Sequence, residues 1–284
     1  MQNFEAWIGK KQIYHDVCND KPINMMQAIL NQYGQPIDEL PSLFHWLYFL
    51  PVTNQAELAA DGHPQKGDFL PPIPFPKRMW AGSRLQFLSP IQVGQTLRRE
   101  SEIIKIDFKQ GRSGNLYFVT VKHEIFANDV LAIIEEHDIV YREASPASTQ
   151  PKAASHTPAV EKVAQPAKTY SYKQAFPVDT VTLFRYSALT FNGHKIHYDR
   201  SYSTEMEGYP GLVVHGPLLA TLLLHVLAQE YPDKKVATFE FKAIQPVFDF
   251  NEFYVCGHIQ TQDGELWIEH SNGNTAMQAK VTFK

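Results

Sequence analysis

Residues Leu183–Gln229 read LFRYSALTFNGHKIHYDRSYSTEMEGYPGLVVHGPLLATLLLHVLAQ. The last thirteen decide the fold. Leu218, Leu219, Leu222, Leu223, Leu224, Val226 and Leu227 leave no polar stripe, and a helix apolar on every side is buried rather than laid on a surface. The apolar run, Leu218 to Ala228, is too short to span a bilayer and contains His225. Pro217 suits the first helical position, which makes Gly216 the expected N-cap, and Tyr231-Pro232 marks the end.

Strands are expected downstream of this helix. Ala237, Phe239, Phe241 and Ala243 alternate with Thr238, Glu240 and Lys242; Phe253, Val255, Gly257 and Ile259 repeat the period, as do Met277, Ala279, Val281 and Phe283. Asp263-Gly264 and Asn272-Gly273 are read as hairpin turns between them. One buried helix followed by an antiparallel sheet that wraps it is the hot-dog architecture, an α+β fold.

Upstream, SRLQFLSPIQVG from Ser83 parallels ATFEFKAIQPVF from Ala237, and strand-like runs follow at Glu100–Phe108, Leu116–Phe126 and Val130–Tyr141. The first half is therefore read as a worn copy of the second, giving a double hot dog in which each half wraps an antiparallel sheet around a central helix. The helix of the first half is expected at Phe44 to Leu50 or at Met25 to Asn31, without a His-Gly-Pro start. Between the halves, Ala144–Lys168 is rich in Ala, Pro, Ser and Thr without apolar period and reads as a linker. The expected divisions are 1–143, a degenerate hot dog; 144–168, the linker; and 169–284, the catalytic hot dog.

Composition removes several function classes. Among 284 residues, 26 Lys and Arg against 30 Asp and Glu give a net charge of -4, so no basic excess points to nucleic acid. Two cysteines, Cys18 and Cys256, cannot form a disulfide framework, and the N-terminus MQNFEAWIGKKQIYHDV has no apolar signal core, so a cytoplasmic location is expected, with no membrane partner. No GxGxxG, Walker or GxSxG pattern occurs, which argues against nucleotide cofactors and a serine hydrolase.

The polar loop supplies the chemistry. Asn192 and His197 lie five residues apart, and an imidazole is the side chain best suited to proton transfer near neutrality. The first N–H groups of the helix beginning at Gly216 are free to hold a developing oxyanion. Asn192, His197 and Gly216 are the candidate catalytic residues. Each has a plainer reading, as a loop histidine bonded to backbone or an ordinary cap glycine. His194, His197 and His215 could hold a metal, but Asn192 and Lys195 are poor companions for a cation, so none is expected.

The segment LTFNGHKIHYD, Leu189–Asp199, with the His215-Gly216 helix start, resembles the signature of the MaoC-like, or R-specific type 2, enoyl-CoA hydratases. On that likeness Asn192 takes the place of the family's catalytic aspartate, His197 that of its histidine, Asp199 the final acidic place, and Gly216 the oxyanion donor. Phe191 replaces a loop glycine. With an amide for the carboxylate, either the enzyme is weak or His197 does the acid–base work while Asn192 orients water. The second reading is favoured because TFNGHKIHYD with EGYPGLVVHGPL is similar to the mesaconyl-C4-CoA (3-methylfumaryl-CoA) and itaconyl-CoA hydratases, where asparagine is usual here. WIGKKQIYHDV, FHWLYFLP, DGHPQKGDFLPP and KRMWAGSRLQF resemble that subfamily's inactive N-terminal domain, often called FAS1-like dehydratase.

The resemblance implies reversible hydration of a 2-enoyl-CoA thioester, a branched dicarboxylic one, with CoA carried by the substrate and no other cofactor. Arg185, Lys195 and Arg200 flank the loop and are the expected cations for a distal carboxylate; Tyr198 and His215 complete the expected substrate-binding set. Phe184, Tyr186, Phe191, Tyr198 and Tyr209 are expected to line the pantetheine tunnel between the halves. A thioesterase, an acyl-carrier-protein dehydratase and a silent acyl-CoA-binding protein stay open on the same fold, as do monomer and homodimer.

Overall fold

The computed structural model describes residues 4–111, 114–143 and 168–284. The first half contributes β1 (Lys11–Val17), α1 (Asp20–Ile29), β2 (Lys77–Phe87), β3 (Thr96–Gly111), β4 (Gly114–Ala127) and β5 (Val130–Arg142). The second contributes β6 (Tyr172–Ala175), α2 (Thr180–Leu189), α3 (Gly216–Glu230), β7 (Val236–Ala243), β8 (Phe253–Ile259), β9 (Asp263–His270) and β10 (Thr275–Phe283). All but residue 168 of the expected linker lies outside the described residues.

One antiparallel sheet of ten strands runs through both halves in the order β1-β3-β4-β5-β2-β7-β10-β9-β8-β6. The order is a palindrome: exchanging β1 to β5 for β6 to β10 reproduces it in reverse. The two segments matched in sequence meet at its centre, where Ser83 opposes Phe241 and Leu85 opposes Phe239. Side chains directly opposite on paired strands share a face, so Leu85 and Phe239 are both buried in the common core.

α3 is the buried rod the sequence predicts. Leu218, Leu222, Leu223 and Val226 are wholly buried, packed with Phe239 and Phe241 of β7, Phe253 and Val255 of β8, and Ile268 of β9. Its N-cap is His215 rather than Gly216, which is the first helical residue, so Pro217 stands one place further in. The Asn272-Gly273 turn forms as expected, with Gly273 at φ 86. Asp263-Gly264 does not turn: both residues already lie in β9, and the chain reverses just before them, with the Gln260 N–H bonded to the Asp263 carbonyl.

The first half has no counterpart to α3. The Met25–Asn31 segment falls in α1, which packs against α2, and Phe44–Leu47 makes only a single 3-10 turn. Polar groups occupy the space around that turn. Glu135, buried at 2% exposure, accepts from the Trp46 indole N–H (3.0 Å) and the Ser83 hydroxyl (2.8 Å) and pairs with His45 Nε2 (3.2 Å). Beyond it, Phe4, Ile73, Ile103, Val119, Ile139 and Tyr141 form a second apolar cluster on the long strands. Among the described residues no helix is long and apolar enough to cross a membrane.

Candidate active site

The site is built on the loop that joins α2 to α3. Asp179 caps α2, accepting from the Thr182 N–H (2.8 Å). At the other end the Thr190 N–H returns to the Tyr186 carbonyl (3.0 Å) and the Asn192 N–H to the Ser187 carbonyl (2.8 Å). Phe191, on the turn between them, adopts φ 50. That left-handed backbone is free to glycine and costs other residues about 1–3 kcal/mol, so Phe191 holds a strained position in the loop.

His197 is brought to the start of α3. Its ring stacks on that of His215, the helix N-cap, at 3.7 Å between centroids and 18° between planes. Its Nδ1 lies 2.7 Å from the Val213 carbonyl, which can only accept; Nδ1 therefore carries the proton and Nε2 keeps its lone pair. Burial pushes the His197 pKa down to about 4, so the ring is neutral near pH 7. A Cβ added at Gly216 would meet nothing within 4 Å, so there is open space beside the helix start. Among the described residues nothing accepts from the Gly216 N–H, which leaves it for a ligand oxygen.

The remaining expected residues fall into two sets. Asn192 is at the site, but its Oδ1 accepts from the His194 N–H (3.0 Å), so only its NH2 is left to orient water. His215 is fully buried and stacked on His197, with Nε2 against the Ser187 hydroxyl (2.8 Å) and Nδ1 without a hydrogen-bond partner among the described residues. Tyr198 is 43% exposed and donates to the Gly193 carbonyl (2.9 Å). Asp199 caps the next turn, accepting from the Tyr202 N–H (3.0 Å). Arg200 is ion-paired with Asp249, and Arg185 sits on the exposed side of α2, so neither is poised over the site. Lys195 lies over the Tyr202 ring at 5.3 Å. Of the expected tunnel residues, Tyr186 is buried against His215, Tyr209 is half-buried, and Phe184 and Phe191 are exposed.

Sequence reasoning gave no role to the first-half residues at this site. Asp61, Gly62 and His63 dock on the catalytic loop. The Lys195 N–H donates to the Asp61 carbonyl (2.9 Å), and the His63 and His194 rings lie 4.1 Å apart. A Cβ on Gly62 would stand 1.9 Å from the Gly193 carbonyl oxygen and one on Gly193 2.7 Å from that of Gly62, so the approach requires glycine on both sides. Donor atoms of Asp61, His63 and His194 fall within 4.8 Å of one another. Asp61 accepts from His63 at its N–H and faces its Nδ1 (each 3.0 Å). Arg78 is the other residue missed. It opposes Tyr141 across β2 and β5, and Tyr141 is wholly buried, so Arg78 is on the inner face. Its charge is felt at His63 and His194, and no carboxylate pairs with it among the described residues. The only available sequence signal was an Asp-Gly-His turn and the Lys77-Arg78 pair before Trp80, neither of which specifies a partner.

A histidine with a fixed tautomer beside a free helix-start amide, with open space at Gly216, suits acid–base chemistry next to a polarised carbonyl. The model of the family "Hydroxyacyl-thioester dehydratase type 2" matches residues 43–249. The chain is 42% identical to the mesaconyl-C(4)-CoA hydratase of Chloroflexus aurantiacus over 97% of this chain and 96% of that protein. A solved MaoC-like dehydratase superposes with a TM-score of 0.75 at 12% identity, covering 99% of each chain. A Mycobacterium tuberculosis protein described as a double hotdog fold gives 0.62 at 14% identity over 97% of this chain and 96% of its own. The chain belongs to the hydroxyacyl-thioester dehydratase type 2 family and is a hydro-lyase of enoyl and hydroxyacyl thioesters.

Proposed function

We propose that the protein reversibly hydrates a branched dicarboxylic 2-enoyl-CoA, with mesaconyl-C4-CoA the first substrate to try, as for the Chloroflexus relative. The observation that carries the chemistry is the His197 ring, held through Nδ1 by the Val213 carbonyl and stacked on the residue that caps α3. The thioester carbonyl sits at the open start of α3 and takes the Gly216 N–H. Charge that develops on its oxygen as water adds is stabilised there; losing one such donor costs about 2.7–4 kcal/mol of barrier. His197 Nε2 takes a proton from the water, and the Asn192 NH2 fixes the water's position. The reaction as drawn calls for no cofactor beyond the CoA that the substrate carries.

The dicarboxylic preference is supported by Arg78, a half-buried guanidinium on the inner face that lacks a protein carboxylate and is close enough to affect His63 and His194. It replaces Arg185, Lys195 and Arg200 as the cation for the distal carboxylate. A panel of 2-enoyl-CoA esters with and without that carboxylate, scored by gain of one water, is the test. The expected result is hydration favouring the dicarboxylic esters. Arg78→Met should lower kcat/KM about 10–100-fold on these alone, the worth of a charged hydrogen bond. Release of free CoA without water addition would make the protein a thioesterase; equal loss on the neutral esters would remove Arg78 from substrate selection.

A further inference from the structure

We propose that His63, contributed by the half without a catalytic loop of its own, is the second proton-exchanging group of this active site and that Asp61 is its positioning residue. The inference rests on the hydration chemistry proposed above.

Asparagine at 192 leaves a chemical gap. Adding water across C2=C3 takes a proton from the oxygen and gives one to C2; the Asn192 amide can do neither, so a second exchanging group beside His197 would let the two transfers run on separate side chains. Four imidazoles stand in a row at the loop. The His63 and His194 centroids are 4.1 Å apart, His194 and His197 5.5 Å, and His197 and His215 3.7 Å. His197 Nδ1 is bound to a neutral carbonyl and His215 to a hydroxyl. Of the four, only His63 has a carboxylate on its ring, with Nδ1 3.0 Å from Asp61 Oδ2. A carboxylate behind an imidazole fixes the tautomer and stabilises the imidazolium when it forms; burial pulls the His63 pKa below 6.5 and the bond to Asp61 opposes that, so His63 is the member of the row with a built-in counter-charge.

The dyad is aimed at the site by its backbone. The His63 N–H donates to Asp61 Oδ1, the Ala59 N–H to the His63 carbonyl (2.7 Å) and the Lys195 N–H to the Asp61 carbonyl (2.9 Å). The Gly62–Gly193 contact locks this short turn to the catalytic loop. With Nδ1 committed to Asp61, Nε2 is the nitrogen left for substrate. Asp61 is held below the ordinary carboxylate range: burial pushes it up, but the hydrogen bonds from His63 outweigh that.

The step balances as follows. In hydration the water oxygen bonds to C3, and the C2=C3 electron pair shifts toward the thioester, whose oxygen is held by the Gly216 N–H. His197 Nε2 takes one water proton, and the His63 imidazolium, paired with the Asp61 carboxylate, gives its Nε2 proton to C2. The rings finish with their protonation exchanged, and the proton returns from His197 to His63 through His194, which stands between them. Nothing is oxidised or reduced. In dehydration His63 removes the C2 proton and the His197 imidazolium protonates the leaving hydroxyl.

The test compares wild type with His63→Gln, His63→Ala and Asp61→Asn on the enoyl-CoA that the wild type hydrates best. His63→Gln should lower kcat by about 100-fold or more, the usual worth of an acid–base group, with KM changed only a few-fold, and should abolish solvent exchange at C2 of the hydroxyacyl product. Added imidazole should restore part of the His63→Ala rate. Asp61→Asn should lower kcat and move the basic limb of the pH–kcat profile for hydration, where the His63 proton is lost, to lower pH. The other groups facing His63, which are His194, Arg78 and Lys66, are unchanged in these variants. If a His63 variant does not fold, Asp61→Asn decides, because its amide keeps an acceptor for the His63 N–H. His63→Gln with more than half the wild-type kcat, a loss without imidazole rescue or pH shift, or activity lost to a chelator and restored by a divalent metal would each overturn the proposal. A wild type that hydrates no enoyl-CoA would instead overturn the reading beneath it.

Discussion

The two halves share a strand order but fill their interiors differently. The second half packs α3, a fifteen-residue rod, against short strands of seven to nine residues (β8, β9 and β10). The first half reduces that rod to the turn Phe44–Leu47 and places a buried glutamate, His45, Trp46 and Ser83 around it, under strands of thirteen to sixteen residues (β3, β4 and β5). The difference shows that the sheet does not need a helix to close, only a filler whose polar atoms are satisfied. It also shows what was gained. Without a long helix, the first half has a connection of twenty-nine residues, 48–76, plus the start of β2, from which it sends Asp61, His63 and Arg78 toward the loop of the other half.

The sharpest way to break the comparison is to remove the histidine at each half's helix start region. His197→Ala should cost about 100- to 10,000-fold in kcat with thermal unfolding nearly unchanged. His45→Ala should do the reverse, losing about 1–3 kcal/mol of stability because Glu135 stays buried with one hydrogen-bond partner fewer while the folded fraction keeps turning over; urea titration and steady-state kinetics on both variants separate the outcomes. Activity that survives His197→Ala would remove the base.

Acid should weaken the first half through its buried ionisable groups. Burial pushes His123 down to about 3 and His137 to about 4 from 6.5, and Glu135 is held below the ordinary glutamate range because its bond to His45 and nearby histidines outweigh burial. All three have folded values below their unfolded ones. Their stabilisation is complete above about pH 6.5 and is lost as pH falls toward 4 and below, by at most about 1.4 kcal/mol per pH unit for each group. Unfolding followed across that range should show this slope, and a His123→Gln, His137→Gln double variant should flatten it. The smallest effect concerns the loop. Phe191→Gly should relieve left-handed strain while loosening the unfolded chain, for a net change within about 1 kcal/mol. A larger loss in denaturant titration would mean the ring itself holds the loop.

The strands, the apolar rod and the NGHKIH loop were legible because periods of two and 3.6 and a buried helix's all-apolar face are local signals. The missing first-half helix was not: FHWLYFLP is as apolar as a short helix, and only the buried Glu135, ninety residues away from His45, makes it a turn. The cap shifted by one residue because a Gly-Pro pair fits either of two frames. Arg200 read as a free cation because Asp249, its partner, is forty-nine residues on. Asp61 and His63 were part of a likeness without a role, since nothing in DGHP says that it will touch residue 193.

The palindromic strand order sets a stoichiometry. Two identical hot dogs joined edge to edge would present two equivalent catalytic loops, and every change in one would be imposed on the other. Here β2 and β7 join unlike copies, and only the second carries the NGHKIH loop, so one thioester per 284 residues is the expected load. The copy relieved of catalysis is free to shape what the other copy meets: a saturation titration with a non-hydratable acyl-CoA should end at a single equivalent per chain.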